Sequence, residues 1–215
     1  MTFKLYGMAM STCTARVLGT LYEIGIDFEL VTVDVIAGEH KQPSYLAKNP
    51  FGLVPALEDN DYTFFESRAI TRYIATKHYG RGTDLLRLGN TKESALVGVW
   101  VEVESQNFNP PISAIIFQLV FTPMYGGTTN EQVVEENVVK LGTVLDIYEE
   151  RLSKSNYLAG DFFTLADLHH FPYTYYLMKT PKAHLINSRP HVKAWWDSVT
   201  SRPAIKRATE GMTLI

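Results

Sequence analysis

Three short stretches carry side chains whose types and spacing could do chemistry. Ser11-Thr12-Cys13-Thr14 stands directly before a helical segment, Ala15 to Ile24; Leu53-Val54-Pro55 follows the breakers Asn49-Pro50 and Gly52; Glu66-Ser67-Arg68 opens a second helical segment. Ser67 is of N-cap type, so the sequence predicts a helix start there, with unpaired N–H groups and a partly positive end that suit an anion. Pro55 lacks an N–H inside an apolar run, which predicts a strand start or a turn. A cis Val54-Pro55 bond would let the preceding backbone face a ligand. Ser11 is either a helix cap or a hydroxyl that activates a nucleophile, and the residues alone leave both readings open. The chain has no G-x-S-x-G elbow and no acid and His arrangement to accompany Ser11, which argues against serine-hydrolase chemistry.

The elements that must position these groups are legible in order. Thr2 to Tyr6 alternates as a strand, and Val17, Leu18, Leu21 and Ile24 form one helical face that Gly25 ends. Phe28 to Val35 is a β-branched strand, connected to the first by a crossover long enough for parallel pairing. Ile36 to Lys48 reads as a polar loop with a helical turn at Ser44 to Ala47. Leu53 to Leu57 and Tyr62 to Phe65 flank a polar turn and predict a tight antiparallel hairpin. Gly80-Arg81-Gly82 and the loop to Asn90 mark a boundary, so the expected division is residues 1–79, a linker at 80–90, and an all-helical domain at 91–215.

Within that second part, helices are expected from Thr91 to about Gln106, with Asn109-Pro110-Pro111 breaking or kinking the chain before Ile112 to Phe121 resumes. Glu131 to Leu152 is amphipathic, with Val134, Val138, Leu141, Leu145 and Tyr148 inward. Thr164-Leu165-Ala166-Asp167 fits a capping box, with Phe163 and Leu168 placed for a hydrophobic staple. His169 and His170 are adjacent and point to different faces, so they cannot share one metal from one helix side. Pro190 to Ser201 and a short final helix after Arg202 complete the pattern.

Composition narrows the function classes. Hydrophobic residues make up 46% and charged residues 20% of the 215, as in an ordinary globular chain. A net charge of -3 gives no basic face for nucleic acid. No stretch has the length of a membrane span, and the N-terminus lacks the apolar run of a signal peptide. One cysteine excludes an internal disulfide framework; with no Asn-x-Ser/Thr sequon, this favours a reducing, cytoplasmic setting.

SxxxxRV from Ser11, EHK at 39–41, NPFGLVPALED at 49–59, ESRAI at 66–70, YLAGDFFTLADLHH from Tyr157 and the RPHVKAWWD helix resemble the plant phi-class glutathione transferases. The resemblance implies a thioredoxin-like α/β N-terminal domain, an all-α C-terminal domain and a homodimer. It implies a cytoplasmic detoxification enzyme of the serine type that adds the glutathione thiolate to hydrophobic electrophiles and also reduces organic hydroperoxides. Glutathione is then a co-substrate, with no cofactor and no metal. The alternative is a carrier of hydrophobic plant metabolites with vestigial catalysis.

By the same resemblance Ser11 is the catalytic residue, donating its proton to the glutathione sulfur. Thr12 joins it, Glu66, Ser67 and Arg68 take the γ-glutamyl end, Val54 with Leu53 and Pro55 supplies the backbone rail, and His40 and Lys41 meet the glycine carboxylate. Leu53 stands where the family usually has glutamine, which implies a lost hydrogen bond. The hydrophobic substrate would lie between the domains against Met10, Thr12, Ile36, Ile115, Gln118, Leu119, Tyr175 and Met178. Cys13 reads as a small buried filler, with thiol exchange the lesser alternative.

Overall fold

The computed structural model describes residues 2–213. The outermost residues of the two expected domains, Met1 and Leu214-Ile215, lie outside this range. The chain forms two compact units: residues up to Leu86 together with those from Pro203 onward, and Arg87–Arg202.

In the first unit β1 (Phe3–Gly7), α1 (Thr12–Ile24), β2 (Phe28–Thr32), α2 (Pro43–Leu46), β3 (Ala56–Asp59), β4 (Tyr62–Phe65) and α3 (Ser67–Lys77) follow one another. A 3-10 turn at Glu39–Lys41 precedes α2. The sheet order is β2-β1-β3-β4. β1 runs parallel to β2, with Leu5 opposite Leu30, and antiparallel to β3, with Leu5 opposite Leu57. β3 and β4 form the expected hairpin, and its first strand starts only at Ala56, after Pro55. Leu5, Leu57, Val17, Leu21, Ile70 and Ile74 are buried, each stabilising the fold by about 1.5–3 kcal/mol.

The second unit is helical: α4 (Thr91–Val103), α5 (Asn109–Ile116), α6 (Thr122–Met124), α7 (Glu131–Leu152), α8 (Leu165–Leu168), α9 (Phe171–Leu177), α10 (His184–Asn187) and α11 (Pro190–Ser201). Of the expected alternatives at Asn109-Pro110-Pro111, a break or a kink, the chain shows no break. A π-helical turn at Glu104–Phe108 carries α4 into α5, the Asn109 N–H reaching back to the Glu104 carbonyl. Pro110 and Pro111 then occupy the first turn of α5, where a missing N–H costs little. A second π turn at Phe117–Phe121 joins α5 to α6. Phe108, Ile112, Leu141, Leu145, Tyr148, Phe171 and Trp195 are buried, and the Tyr148 hydroxyl lies 2.9 Å from His170 Nε2. No helix among the described residues is long and apolar enough to cross a membrane.

The last helix, α12 (Pro203–Glu210), differs from the expectation for 91–215: it belongs to the first unit and packs on α1. Ile205 and Ala208 are its buried positions. An amphipathic stripe shows that a helix is covered on one side; it does not name the partner.

Candidate functional site

Strand pairing gathers the three chemical stretches of the first unit at one end of its sheet. Tyr6 lies opposite Ala56, and Ala56 opposite Phe65. The chain therefore leaves β1 toward Ser11, enters β3 from Leu53-Pro55, and leaves β4 into Glu66-Ser67, all from the same edge. In open α/β sheets the ends where parallel strands give way to helices are the usual ligand crevices.

Ser11 is the N-cap of α1, and its Oγ accepts from the Thr14 N–H at 3.4 Å. That bond is long, and among the described residues no acceptor takes the Ser11 proton. The hydroxyl is half-buried and beside the partly positive end of a 13-residue helix, so it can donate to an incoming anion. Thr12 opens the helix and is buried. Cys13, expected as a buried filler, is instead half-buried, 3.7 Å from Arg16 Nη1.

Ser67 departs from its expected place. Glu66 is the N-cap of α3, with φ 67 and no side-chain capping bond, and Ser67 is the first helical residue. A non-glycine residue at such a φ costs on the order of 1–3 kcal/mol, a strain found mainly where a site uses it. Ser67 is buried, and its Oγ accepts from Nη1 of the fully buried Arg16 at 2.8 Å. A guanidinium only donates, so this bond leaves the Ser67 proton for another acceptor. Arg16 thus ties α1 to α3 beneath the site, a role that sequence reading missed because an arginine on a helix usually reads as a surface charge. Glu66 is exposed and Arg68 half-buried on the same turn.

The Val54-Pro55 bond is cis. Leu53 is 56% exposed, and Val54 carries no backbone hydrogen bond among the described residues. His40 and Lys41 lie on the 3-10 turn, where Lys41 Nζ donates to the carbonyl of Gly52 at 2.7 Å. Gly52 has φ 57, and a Cβ there would sit 2.9 Å from both the His40 carbonyl and Lys41 Cδ. Only glycine fits so tight an approach of the two segments.

Of the side chains expected against a hydrophobic substrate, Ile36 is 59% exposed, whereas Met10 is buried. In the helical unit Ile115 is fully buried, so it packs in the core and presents no surface to a ligand. Gln118 is engaged elsewhere than expected: its Oε1 accepts from the Asn130 N–H at 2.8 Å, at the start of α7. Leu119, Tyr175 and Met178 are half-buried, with Lys179 Nζ 4.0 Å from the Tyr175 ring centre. Among the described residues no group of three or more His, Cys, Asp or Glu is placed to hold a metal.

Residues 1–76 match the family described as Glutathione S-transferase, N-terminal domain, and residues 108–203 match Glutathione S-transferase, C-terminal domain. Glutathione S-transferase F13 of Arabidopsis thaliana is 58% identical over 214 residues, covering 100% of this chain and 98% of that protein. The crystal structure of glutathione transferase F7 from Populus trichocarpa superposes with a TM-score of 0.97 at 61% identity, covering 99% of this chain and 100% of that one. Glutathione S-transferase I from maize, in complex with an atrazine glutathione conjugate, gives a TM-score of 0.92 at 46% identity, covering 99% and 98%. With its thioredoxin-like sheet, its helical second part and these full-length likenesses, the chain belongs to the glutathione S-transferase family, in its plant phi class.

Proposed function

We propose that this glutathione transferase is of the serine type, with Ser11 donating its proton to the glutathione sulfur. The observation that carries this is the Ser11 hydroxyl: half-buried at a helix start, held by a 3.4 Å contact, with its proton unclaimed among the described residues. In this reading Ser67 and the first turn of α3 receive the γ-glutamyl carboxylate, Glu66 its ammonium, and the Val54 backbone the cysteinyl amide. His40 and Lys41 meet the glycine carboxylate. Ile36 offers exposed apolar surface for a hydrophobic electrophile. Work as a homodimer in the cytoplasm, where thiols stay reduced, belongs to the same proposal.

A free thiol with pKa about 8.5 is only about 3% ionised at neutral pH. Lowering that pKa by about 2 units requires roughly 2.7 kcal/mol of differential stabilisation. A charge-assisted hydrogen bond supplies about 1.5–3 kcal/mol and the helix end about 0.3–1. Nucleophilicity falls about tenfold as the thiolate becomes less basic, so the net gain is a few-fold. Holding the electrophile beside the sulfur therefore supplies most of the acceleration.

Chlorodinitrobenzene turnover tests the reading. Ser11→Ala is expected to lose about five- to tenfold in kcat/KM at mildly acid pH, with the loss shrinking as pH rises. A carrier with vestigial catalysis would show little turnover to lose in either protein.

A further inference from the structure

The backbone proposed to run beside the tripeptide is held by donors on the segment from 41 to 49. The Leu53 carbonyl accepts from the Tyr45 hydroxyl at 2.9 Å and from Asn49 Nδ2 at 2.7 Å, which fills both of its lone pairs. The Gly52 and Phe51 carbonyls accept from Lys41 Nζ at 2.7 and 3.3 Å. Asn49 also binds the Phe51 N–H through Oδ1 at 3.1 Å. Tyr45 adds a second grip: its buried ring forms a cluster with Val33 and Ala56, and Val54 packs against that cluster.

We propose that Tyr45 and Lys41 are positioning residues, clamping carbonyls 51–53 so that Val54 is held ready for the cysteinyl amide of glutathione. This rests on the function proposed above and extends it to Tyr45, which need not touch the tripeptide, while giving Lys41 a second role beside the glycine carboxylate. With the Leu53 and Gly52 carbonyls engaged, the Leu53 N–H and both backbone groups of Val54 are left without a partner among the described residues, and of these only Val54 offers a donor and an acceptor together. Burial pushes the Tyr45 hydroxyl up to about 12, so it remains a protonated donor at any working pH. A clamp lowers the ordering cost of binding, which appears in KM for glutathione and not in kcat.

Tyr45→Phe removes one donor and keeps the ring. KM for glutathione is expected to rise about fivefold, with kcat and KM for chlorodinitrobenzene within about twofold of wild type. An unchanged glutathione KM, or a fall in kcat alone, overturns the proposal. Lys41→Met, at an exposed position, gives a second test with γ-glutamylcysteine, which lacks the glycine carboxylate. A clamp raises KM for γ-glutamylcysteine as well as for glutathione, the glycine carboxylate adding a further penalty only for the latter. A penalty seen only with glutathione makes Lys41 a simple carboxylate partner and overturns its place in the clamp. Failure of the underlying function reads differently: wild-type protein would then not bind S-methylglutathione, and the clamp would fall with it.

Discussion

At the start of α8, Thr164 Oγ1 accepts from the Ala166 N–H at 3.2 Å, and Asp167 reaches back to the Thr164 N–H at 3.0 Å. The same fully buried carboxylate accepts from the Leu158 N–H at 2.9 Å and from Trp195 Nε1 at 3.0 Å. At the start of α3, by contrast, Glu66 stands at φ 67, no side chain caps the helix, and Ser67 leans on a buried arginine. The first arrangement answers its donors internally and serves stability. The second leaves donors at a strained turn, which lowers stability and is retained where a ligand completes the bonding. The two helix starts therefore predict opposite mutant phenotypes.

The largest effect is expected from Asp167→Ala. It leaves the N–H groups of Leu158, Thr164 and Trp195 without their buried acceptor, at a cost of about 4 kcal/mol in denaturant unfolding. Glutathione KM in the folded fraction should hold. The same residue sets a pH signature, because burial pushes its carboxyl up from 3.8 to about 6. The folded state then binds a proton more tightly than the unfolded chain. Stability from this group is fully present below pH 3.8 and is lost as pH rises through 6. Measured against Asp167→Asn, wild type should therefore lose about 2 kcal/mol between pH 4 and 7.

Ser67→Ala should reverse the pattern. Unfolding should lose about 1–2 kcal/mol as the buried Arg16 loses an acceptor, less than in Asp167→Ala, while glutathione KM rises roughly 30-fold through loss of about 2 kcal/mol of charge-assisted bonding. Equal damage to stability and binding would erase the distinction between the two helix starts. The smallest effect is expected at the rail: Leu53→Gln adds a side-chain donor at an exposed position and should lower glutathione KM about fivefold at most.

How far these features could be read in the sequence follows from their range. The Thr164–Asp167 box is a local pattern of residue types three positions apart, and it formed as expected. The β3-β4 hairpin was equally legible, because breakers bracket two short apolar runs. Ser67 was misplaced by one residue because the left-handed backbone of Glu66 has no marker in its residue type. The π turn before Pro110 was invisible for a related reason: proline forbids a hydrogen bond but does not dictate how the chain reroutes it. Arg16, Tyr45 and Asn49 depend on contacts with residues up to 51 positions away, or on carbonyls that spacing does not reveal. The burial of Ile115 and the capture of Gln118 by Asn130 are likewise set by packing, which an apolar pattern alone does not resolve.

The proposed role of Ser11 is to hold the glutathione sulfur as a thiolate. The direct measurement is the ultraviolet thiolate absorbance of bound glutathione, titrated against pH in wild type and Ser11→Ala. The wild-type midpoint is expected about 2 units below that of the free thiol and should move up by about 1–2 units when the hydroxyl is removed. Coincident midpoints in the two proteins would contradict it.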